Sequence, residues 1–159
     1  MIAMPKIGIT EINLKKSASL LSIILSDEMT LYVKTRKFHW NITGNSFMEL
    51  HKLFEMQYKQ YEEIIDEVAE RINTLGSKTI GTMIEFANLS RLEENENKYP
   101  IQKEMISELL NDNETLITEI RKDIDVCSNE NHDAGTADLL TKVLQQHETI
   151  AWILRRYLN

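Results

Sequence analysis

Two histidines and three carboxylates in the first half of the chain have the residue types of a metal site. On a helix of about 3.6 residues per turn, four of them fall within about 100° of one another and share one face. These four are His51, Glu55, Asp66 and Glu70. Imidazole nitrogen together with carboxylate oxygen suits iron or zinc, and a carboxylate-rich set favours iron. This stripe therefore predicts a metal site, with iron as the favoured metal.

The remaining histidine of the group is His39. A short polar stretch separates it from His51. Asn45 is equidistant in sequence from both histidines. An antiparallel helical hairpin that turns near Asn45 therefore places both imidazoles at a similar height. Whether the two rings face one another depends on the rotation of each helix, which the sequence leaves open.

These side chains cannot all bind one metal ion within a single chain. The rise from Glu55 to Asp66 along a helix is about 16 Å, whereas metal–ligand bonds are about 2 Å. A second copy of the helix, packed antiparallel across a two-fold axis next to Tyr61, removes this difficulty. His51 then meets Glu70 of the partner subunit, and Glu55 meets Asp66 of the partner subunit. Each dimer would hold two equivalent sites with ligands from both chains.

The competing interpretation of the stripe is a solvated helix face. Acidic residues on a helix usually point to water, and Glu62, Glu63 and Glu67 supply such a face here. A histidine on its own is also more often structural than metal-binding, and His132 and His147 are predicted to be surface residues without a role. The chain lacks Glu-x-x-His, the motif that builds di-iron sites inside helix bundles. Iron chemistry in this chain would therefore use a different place on the bundle.

Long helices are predicted to position these residues. The chain has only five glycines and two prolines, and apolar residues recur at helical spacing along most of it. The predicted long helices are 17–40, 46–75, 101–127 and 136–157, with a short helix at 82–91. Ser46 is predicted to start the second helix in a capping box with Glu49, and Gly76 to end it. The pattern predicts an all-α fold: a four-helix bundle with a short extra helix in the crossover between helices two and three.

Bulk composition sets outer limits on organisation and function. At 159 residues the chain fits one domain, with 1–16 predicted as a tail that is at best partly ordered and 17–159 as the bundle domain. No apolar run approaches the roughly 20 residues of a membrane span, and no secretory signal is predicted. A single cysteine, Cys127, is expected to be a structural thiol in a reducing cytoplasm. A net charge of -7 argues against a surface built for nucleic acid.

The sequence around the two histidines and the later carboxylates resembles the Dps family, the mini-ferritins also known as DNA-binding proteins from starved cells. The matching segments are KFHWNITG at 37–44, LH at 50–51, LFE at 53–55 and DEVAER at 66–71. The resemblance extends over about residues 17–157. It implies a ferritin-like bundle whose subunits form a hollow dodecamer. Members of the family oxidise iron(II), typically with hydrogen peroxide, and deposit ferric mineral inside.

Carried over position by position, the resemblance implies a ferroxidase site shared by two subunits. His39, His51 and Glu55 would bind iron from one subunit. Asp66 and Glu70 would bind it from the two-fold partner. The two-fold packing deduced from spacing divides the ligands in the same way. Family members more often have aspartate where this chain has Glu55, so the longer carboxylate departs from the pattern.

The resemblance also assigns roles outside the ligand set. Trp40 corresponds to a tryptophan beside the site that is thought to quench oxidising equivalents, and a packed core indole is the alternative. Asp138 matches an acid that lines an ion pore at the three-fold axis, with Glu130 and Asp133 as neighbouring contributors. Acids also favour a helix N-terminus without any pore.

The leading hypothesis is therefore an iron-storage and detoxification protein with ferroxidase activity, iron as its metal and peroxide as its oxidant. The alternative is a Dps-like shell that acts mainly as a DNA-binding or structural particle. A third interpretation is a dimer that holds zinc without turnover, which metal analysis would distinguish. DNA binding is not expected, because the tail carries only Lys6, Lys15 and Lys16 on an acidic shell.

Overall fold

The chain forms a bundle of long helices in the computed structural model, which describes residues 4–158. The five α-helices are α1 (Glu11–Asn41), α2 (Phe47–Thr74), α3 (Met83–Leu89), α4 (Gln102–Asp125) and α5 (Ala134–Leu158), and a π-helical turn, Val126–Glu130, joins the last two. No strand occurs among the described residues. α1 packs along α2 and α4 along α5, while the short α3 packs on α1. The predicted all-α bundle with a short helix in the crossover is confirmed.

The core is a continuous set of apolar side chains from all four long helices. Leu25 of α1, Phe54 of α2, Leu109 of α4 and Leu140 of α5 are among its completely buried members. Burying each such side chain contributes roughly 1.5–3 kcal/mol. Phe38 of α1 lies with its ring centroid 6.5 Å from that of Phe54, so the α1–α2 hairpin is packed together directly behind the two histidines. None of the helices within 4–158 has the length and apolar composition that a membrane crossing requires.

The first helix begins earlier than the apolar pattern predicted. α1 starts at Glu11 rather than near Ser17, because the Thr10 side chain caps it by accepting a backbone hydrogen bond at 3.3 Å. Leu14 is 1% exposed, so this extension is anchored in the core. The predicted helix start is therefore wrong, since part of the predicted tail is helical. Residues 1–3 of that tail lie outside the described residues.

The capping box predicted at the start of α2 is absent. Ser46 occupies the N-cap position, but its side chain makes no capping hydrogen bond. Glu49 instead accepts a hydrogen bond from the Tyr157 hydroxyl at 2.7 Å, so its carboxylate points to α5. A complete capping box lies at α3, where Thr82 and Glu85 satisfy each other's backbone N–H groups.

Gly76 follows the end of α2 in a left-handed conformation, with φ of +83°. The N–H of Gly76 donates to the Asn73 carbonyl at 2.9 Å, and the N–H of Ser77 donates to the Ile72 carbonyl at 3.2 Å. This pair of bonds is the Schellman arrangement, which favours glycine at this position. A Cβ atom added to Gly76 would lie 2.6 Å from Cδ of Pro5. The N-terminal segment therefore packs directly over the end of α2.

We expect Gly76→Ala to destabilise the protein, because alanine would be forced into a left-handed conformation and would meet Pro5. The backbone strain alone is about 1–2 kcal/mol, which lowers the melting temperature of a chain of this size by roughly 2–8 °C. Thermal unfolding followed by circular dichroism measures the change. Gly81→Ala is the matched control, since nothing lies within 4 Å of its added Cβ. Equal melting temperatures for the two variants would contradict this role of Gly76.

Candidate metal centre

His39 of α1 and His51 of α2 lie face to face across the hairpin. Their ring centroids are 3.8 Å apart and the ring planes differ by 19°. Nδ1 of His39 lies 2.8 Å from the carbonyl oxygen of His51, and Nδ1 of His51 lies 2.9 Å from the carbonyl oxygen of His39. The structure thus places the imidazoles at the same height, and the rotation that the sequence left open brings the rings together.

These hydrogen bonds determine which nitrogen of each ring can bind a metal. A carbonyl oxygen only accepts, so Nδ1 of each histidine carries a proton and donates it. In a neutral imidazole Nε2 then keeps its lone pair. Metal-binding histidines are commonly oriented by such a bond from the other ring nitrogen. The hairpin therefore carries two imidazoles that are each prepared to bind a metal through Nε2.

Glu55 lies one turn after His51 on α2 and is partly exposed. Its Oε1 atom accepts a hydrogen bond from Lys59 Nζ at 2.6 Å. This bond is the main cause of the lowered pKa of the Glu55 carboxyl, and His39 and His51 act on that pKa in the same direction. Glu55 is therefore a carboxylate within electrostatic reach of both imidazoles.

Asp66 and Glu70 lie on the exposed face of α2, farther along the helix than His51. Neither carboxylate makes a hydrogen bond or an ion pair with a described residue. Within residues 4–158 of one chain, no three His, Cys, Asp or Glu side chains lie close enough together to hold a metal ion. The structure therefore joins the two histidines, places Glu55 near them, and leaves Asp66 and Glu70 apart from them in the same chain.

An aromatic and cationic cluster borders the histidine pair. Trp40, next to His39, is 65% exposed, so it is not the packed core indole that the sequence allowed. The Arg36 guanidinium lies 5.7 Å from the Trp40 ring centroid and 4.4 Å from that of Tyr58. Tyr58 in turn meets the His39 ring edge-on at 5.3 Å. Cation–π contacts of this kind hold the surroundings of His39 in one arrangement.

The three acids predicted for a pore separate into two groups. Asp133 is completely buried: Oδ1 accepts from the Thr136 N–H and from Arg71, each at 3.0 Å, and Oδ2 accepts from the Thr136 hydroxyl at 2.6 Å. Burial raises the pKa of Asp133, but these hydrogen bonds and Arg71 together hold it below its usual value. The predicted pore role of Asp133 is wrong, because both oxygens cap α5. Glu130 and Asp138 are exposed, and their pore role stays a prediction.

His147 is also placed differently from its prediction. It was predicted at the surface, but it is completely buried, with Nε2 2.6 Å from Oε1 of Glu28. Glu28 lies on the apolar face of α1, between Leu25 and Leu31. An acidic residue at a core position of α1 needs a buried partner. Glu28 was therefore the one feature of the sequence that indicated the buried Glu28–His147 pair. His132 is exposed as predicted.

Cys127 is a buried thiol rather than a reactive one. It is completely buried, and burial is the main cause that raises its pKa to about 11. The thiolate, which is the reactive form, is therefore scarce at neutral pH. This environment agrees with the expected structural role.

The chain is similar to ferritin-like proteins in both sequence and fold. Residues 18–159 match the family model of the ferritin-like domain. The chain is 40% identical over 158 residues to a low temperature-induced protein of Nostoc sp. (strain PCC 7120), which covers 98% of this chain and 88% of that protein. It is 34% identical over 146 residues to DNA protection during starvation protein 2 of Bacillus anthracis, covering 91% and 98%. The crystal structure of the Dps protein from Vibrio cholerae O1 has a TM-score of 0.91 at 28% identity, covering 100% and 99%.

Fold and sequence together define this chain as a ferritin-like helical protein. Within that class it belongs to the Dps family. Membership supports, in general terms, a role in iron storage or DNA protection and a homo-oligomeric assembly.

We expect Asp133→Asn to destabilise the folded chain and Asp138→Asn to leave its stability nearly unchanged. Asparagine at 133 removes the charge that faces Arg71 and weakens the cap of α5, a loss of about 1–3 kcal/mol. Asp138 is exposed, and such substitutions usually stay within about 0.5 kcal/mol. Thermal unfolding at neutral pH measures both variants. Indistinguishable melting temperatures would contradict the capping role of Asp133.

Proposed function

We propose that this protein oxidises iron(II) with hydrogen peroxide at sites shared between two subunits, and stores the ferric product inside a hollow cytoplasmic dodecamer. The proposal rests on the His39–His51 pair, in which both Nδ1 atoms donate to carbonyl oxygens and both Nε2 atoms remain to bind a metal. Family membership supports iron as that metal. The biological role would be iron storage together with detoxification of iron and peroxide.

The proposed site takes its ligands from two chains. One subunit supplies His39, His51 and Glu55. Asp66 and Glu70 of the partner subunit complete the site. The exposure of these two acids, and their lack of partners among residues 4–158, support this division because an unpaired acidic face is open to a second chain. The helical rise of about 16 Å between Glu55 and Asp66 argues against a site within one chain.

Charges and apolar area along α2 support an antiparallel two-fold contact. In the register that brings Glu55 to Asp66 of the partner subunit, Lys59 faces Glu62 of the partner subunit, so opposite charges meet. Met56 is 47% exposed on the same helix and offers apolar area for a partner to cover. Contacts of this isologous kind are the commonest in homo-oligomers.

The proposed reaction balances with iron(II) and peroxide as the substrates. Two iron(II) ions each give up one electron, and one hydrogen peroxide takes both electrons with two protons to form two water molecules. Glu55 and the partner's acids would stabilise the positive charge that iron gains on oxidation. In the neutral tautomers that these two hydrogen bonds imply, Nε2 carries no proton and would bind iron directly. Trp40, exposed beside His39, would reduce a one-electron oxidant that escapes this route.

Iron(II) would reach the interior through a pore at the three-fold axis. Asp138 and Glu130 are exposed near the start of α5, and their negative charge would concentrate cations there. Asp133 supports the pore only indirectly, by capping the helix that carries Asp138.

A shared site predicts complementation between two inactive variants. We expect His51→Ala and Asp66→Ala each to lower peroxide-driven iron(II) oxidation to the protein-free rate. Shells with equal amounts of both variants should recover about a quarter of the wild-type rate, because half of random dimers pair the two variants and each such dimer has one intact site. Absorbance of iron(III) after anaerobic addition of peroxide measures the rate.

Glu63→Ala is the matched control for this experiment, since Glu63 is an exposed acid of α2 outside the ligand set. It should oxidise iron as the wild type does, and native mass spectrometry would verify assembly and mixing. If the wild type oxidised iron(II) no faster than buffer alone, the proposed ferroxidase activity would be contradicted. If verified mixed shells showed no recovery, the proposed sharing of ligands between two subunits would be contradicted, while the oxidation by the wild type would still stand.

Protection of DNA is the second candidate function, and the name of the Bacillus anthracis relative favours it. The net charge of -7 opposes it, because phosphate binding draws its affinity from Lys and Arg. We therefore expect no retardation of linear duplex DNA in a gel at low salt, where electrostatic binding is strongest. A known DNA-binding protein serves as the positive control. A retarded band that disappears as salt is raised would establish DNA binding instead.

A further inference from the structure

A group of polar side chains lies inside the bundle, separate from the histidine hairpin. Each long helix contributes one residue: Glu28 from α1, Tyr61 from α2, Asn113 from α4 and His147 from α5. All four are completely buried. Metal and ligand sites in helix bundles are built in this way, from side chains on facing helices. These four residues form the core cluster.

Hydrogen bonds fix the orientation of His147 within the core cluster. Nδ2 of Asn113 donates to the Leu109 carbonyl at 2.7 Å, so Oδ1 of Asn113 is the acceptor that faces Nδ1 of His147 at 2.8 Å. His147 therefore donates from Nδ1, and Nε2 is the nitrogen that faces Glu28 at 2.6 Å. The Tyr61 ring stacks on the imidazole with centroids 5.8 Å apart. A ring held through Nδ1–H in this way has the orientation of a metal-binding histidine.

The core cluster leaves buried polar atoms without partners. Oε2 of Glu28 has no hydrogen bond among the described residues, and neither amide atom of Gln57 has one. Gln57 is also completely buried, one helical turn before Tyr61 on the same face of α2. Buried polar atoms without partners are rare in folded proteins because they are strongly destabilising. The unpartnered oxygen of Glu28, beside its contact with His147, points to a bound species.

We propose that the core cluster is a second metal site, contained within one chain, that binds one divalent transition-metal ion. The carboxylate of Glu28 and Nε2 of His147 are its ligands, and the unpartnered carboxamide oxygen of Gln57 is the candidate third ligand. One proton lies between Glu28 and His147 in the metal-free chain. That proton leaves to solvent when the metal ion takes its place.

A metal ion explains the core cluster better than a buried water molecule does. Water would satisfy Oε2 of Glu28, but a buried acid and histidine in contact are usually no more stable than apolar residues of the same volume. A divalent ion accounts for this pair, because it binds both the carboxylate and the imidazole nitrogen and replaces the one proton that they share. Burial raises the pKa of Tyr61, so its phenol stays protonated and orients Asn113 instead of binding the metal.

The core cluster is independent of the proposed ferroxidase site. It shares no residue with that site, and it needs no second chain. Because its residues are completely buried, metal has to enter through local opening of the bundle. We expect binding at the core cluster to be slow compared with binding at the histidine hairpin, where His51 and Glu55 are partly exposed.

Cobalt(II) binding to the assembled, metal-stripped protein tests the proposal. His51→Ala removes one hairpin ligand and so weakens metal retention there. Metal that is then lost on a further change at Glu28 reports on the core cluster. We expect this variant to retain about one cobalt(II) ion per chain after overnight incubation and desalting, with visible absorption typical of low coordination symmetry. The double variant His51→Ala/Glu28→Gln should lose both the ion and the absorption. His51→Ala/Glu63→Gln is the matched control and should keep them.

A second measurement does not depend on the folding of a core variant. Zinc binding to His51→Ala at pH 7 in weak buffer should release about one proton per ion, since the metal displaces the proton between Glu28 and His147. Absence of retained cobalt(II) in His51→Ala, equal retention in His51→Ala/Glu28→Gln, or zinc binding without proton release would each overturn the proposal. None of these outcomes depends on peroxide or iron oxidation, so failure of the core site and failure of the proposed function are distinguishable.

Discussion

The register of α1 against α2 is the constraint on which the candidate metal centre depends. A slide of one residue would move the two backbones by about 1.5 Å and break both bonds between His39 and His51. Phe38 against Phe54 holds the register on the core side of the hairpin. Arg36 against Tyr58 holds it on the outer side. The tautomer of both imidazoles, and with it their capacity to bind metal, is therefore a result of hairpin packing.

The sequence predicted the helices well because helical periodicity reports burial of apolar area, which dominates the energy of folding. It predicted their ends less well, because ends depend on single hydrogen bonds with competing partners. Thr10 caps α1 upstream of the regular apolar pattern. Glu49 had the spacing of a capping box, but the Tyr157 hydroxyl, distant in sequence, binds it instead.

The candidate site likewise has features that the sequence predicted and features that it did not. The equal sequence separation of His39 and His51 from the turn predicted that the two rings lie at one height. This prediction was possible because two antiparallel helices joined by a short turn have little freedom in register. Periodicity contains no information about polar pairs between distant segments. Asp133 with Arg71, and His147 with Glu28, are such pairs, and both acids and both basic groups are used within the chain. The sequence pattern therefore predicted a pore role for Asp133 and a surface position for His147.

Metal binding and assembly would be linked if the proposed shared site is correct. Across the proposed two-fold axis, Asp66 and Glu70 of the partner subunit would bring negative charge toward the carboxylate of Glu55. Without metal these carboxylates would repel one another, and the Lys59 ammonium beside Glu55 would offset part of the repulsion. A bound cation reverses the sign of the interaction, and a ligand that binds only the assembled form stabilises that form. Iron would then be both the substrate of the site and a stabiliser of the interface that creates it, whereas an ion in the core cluster would stabilise the single chain.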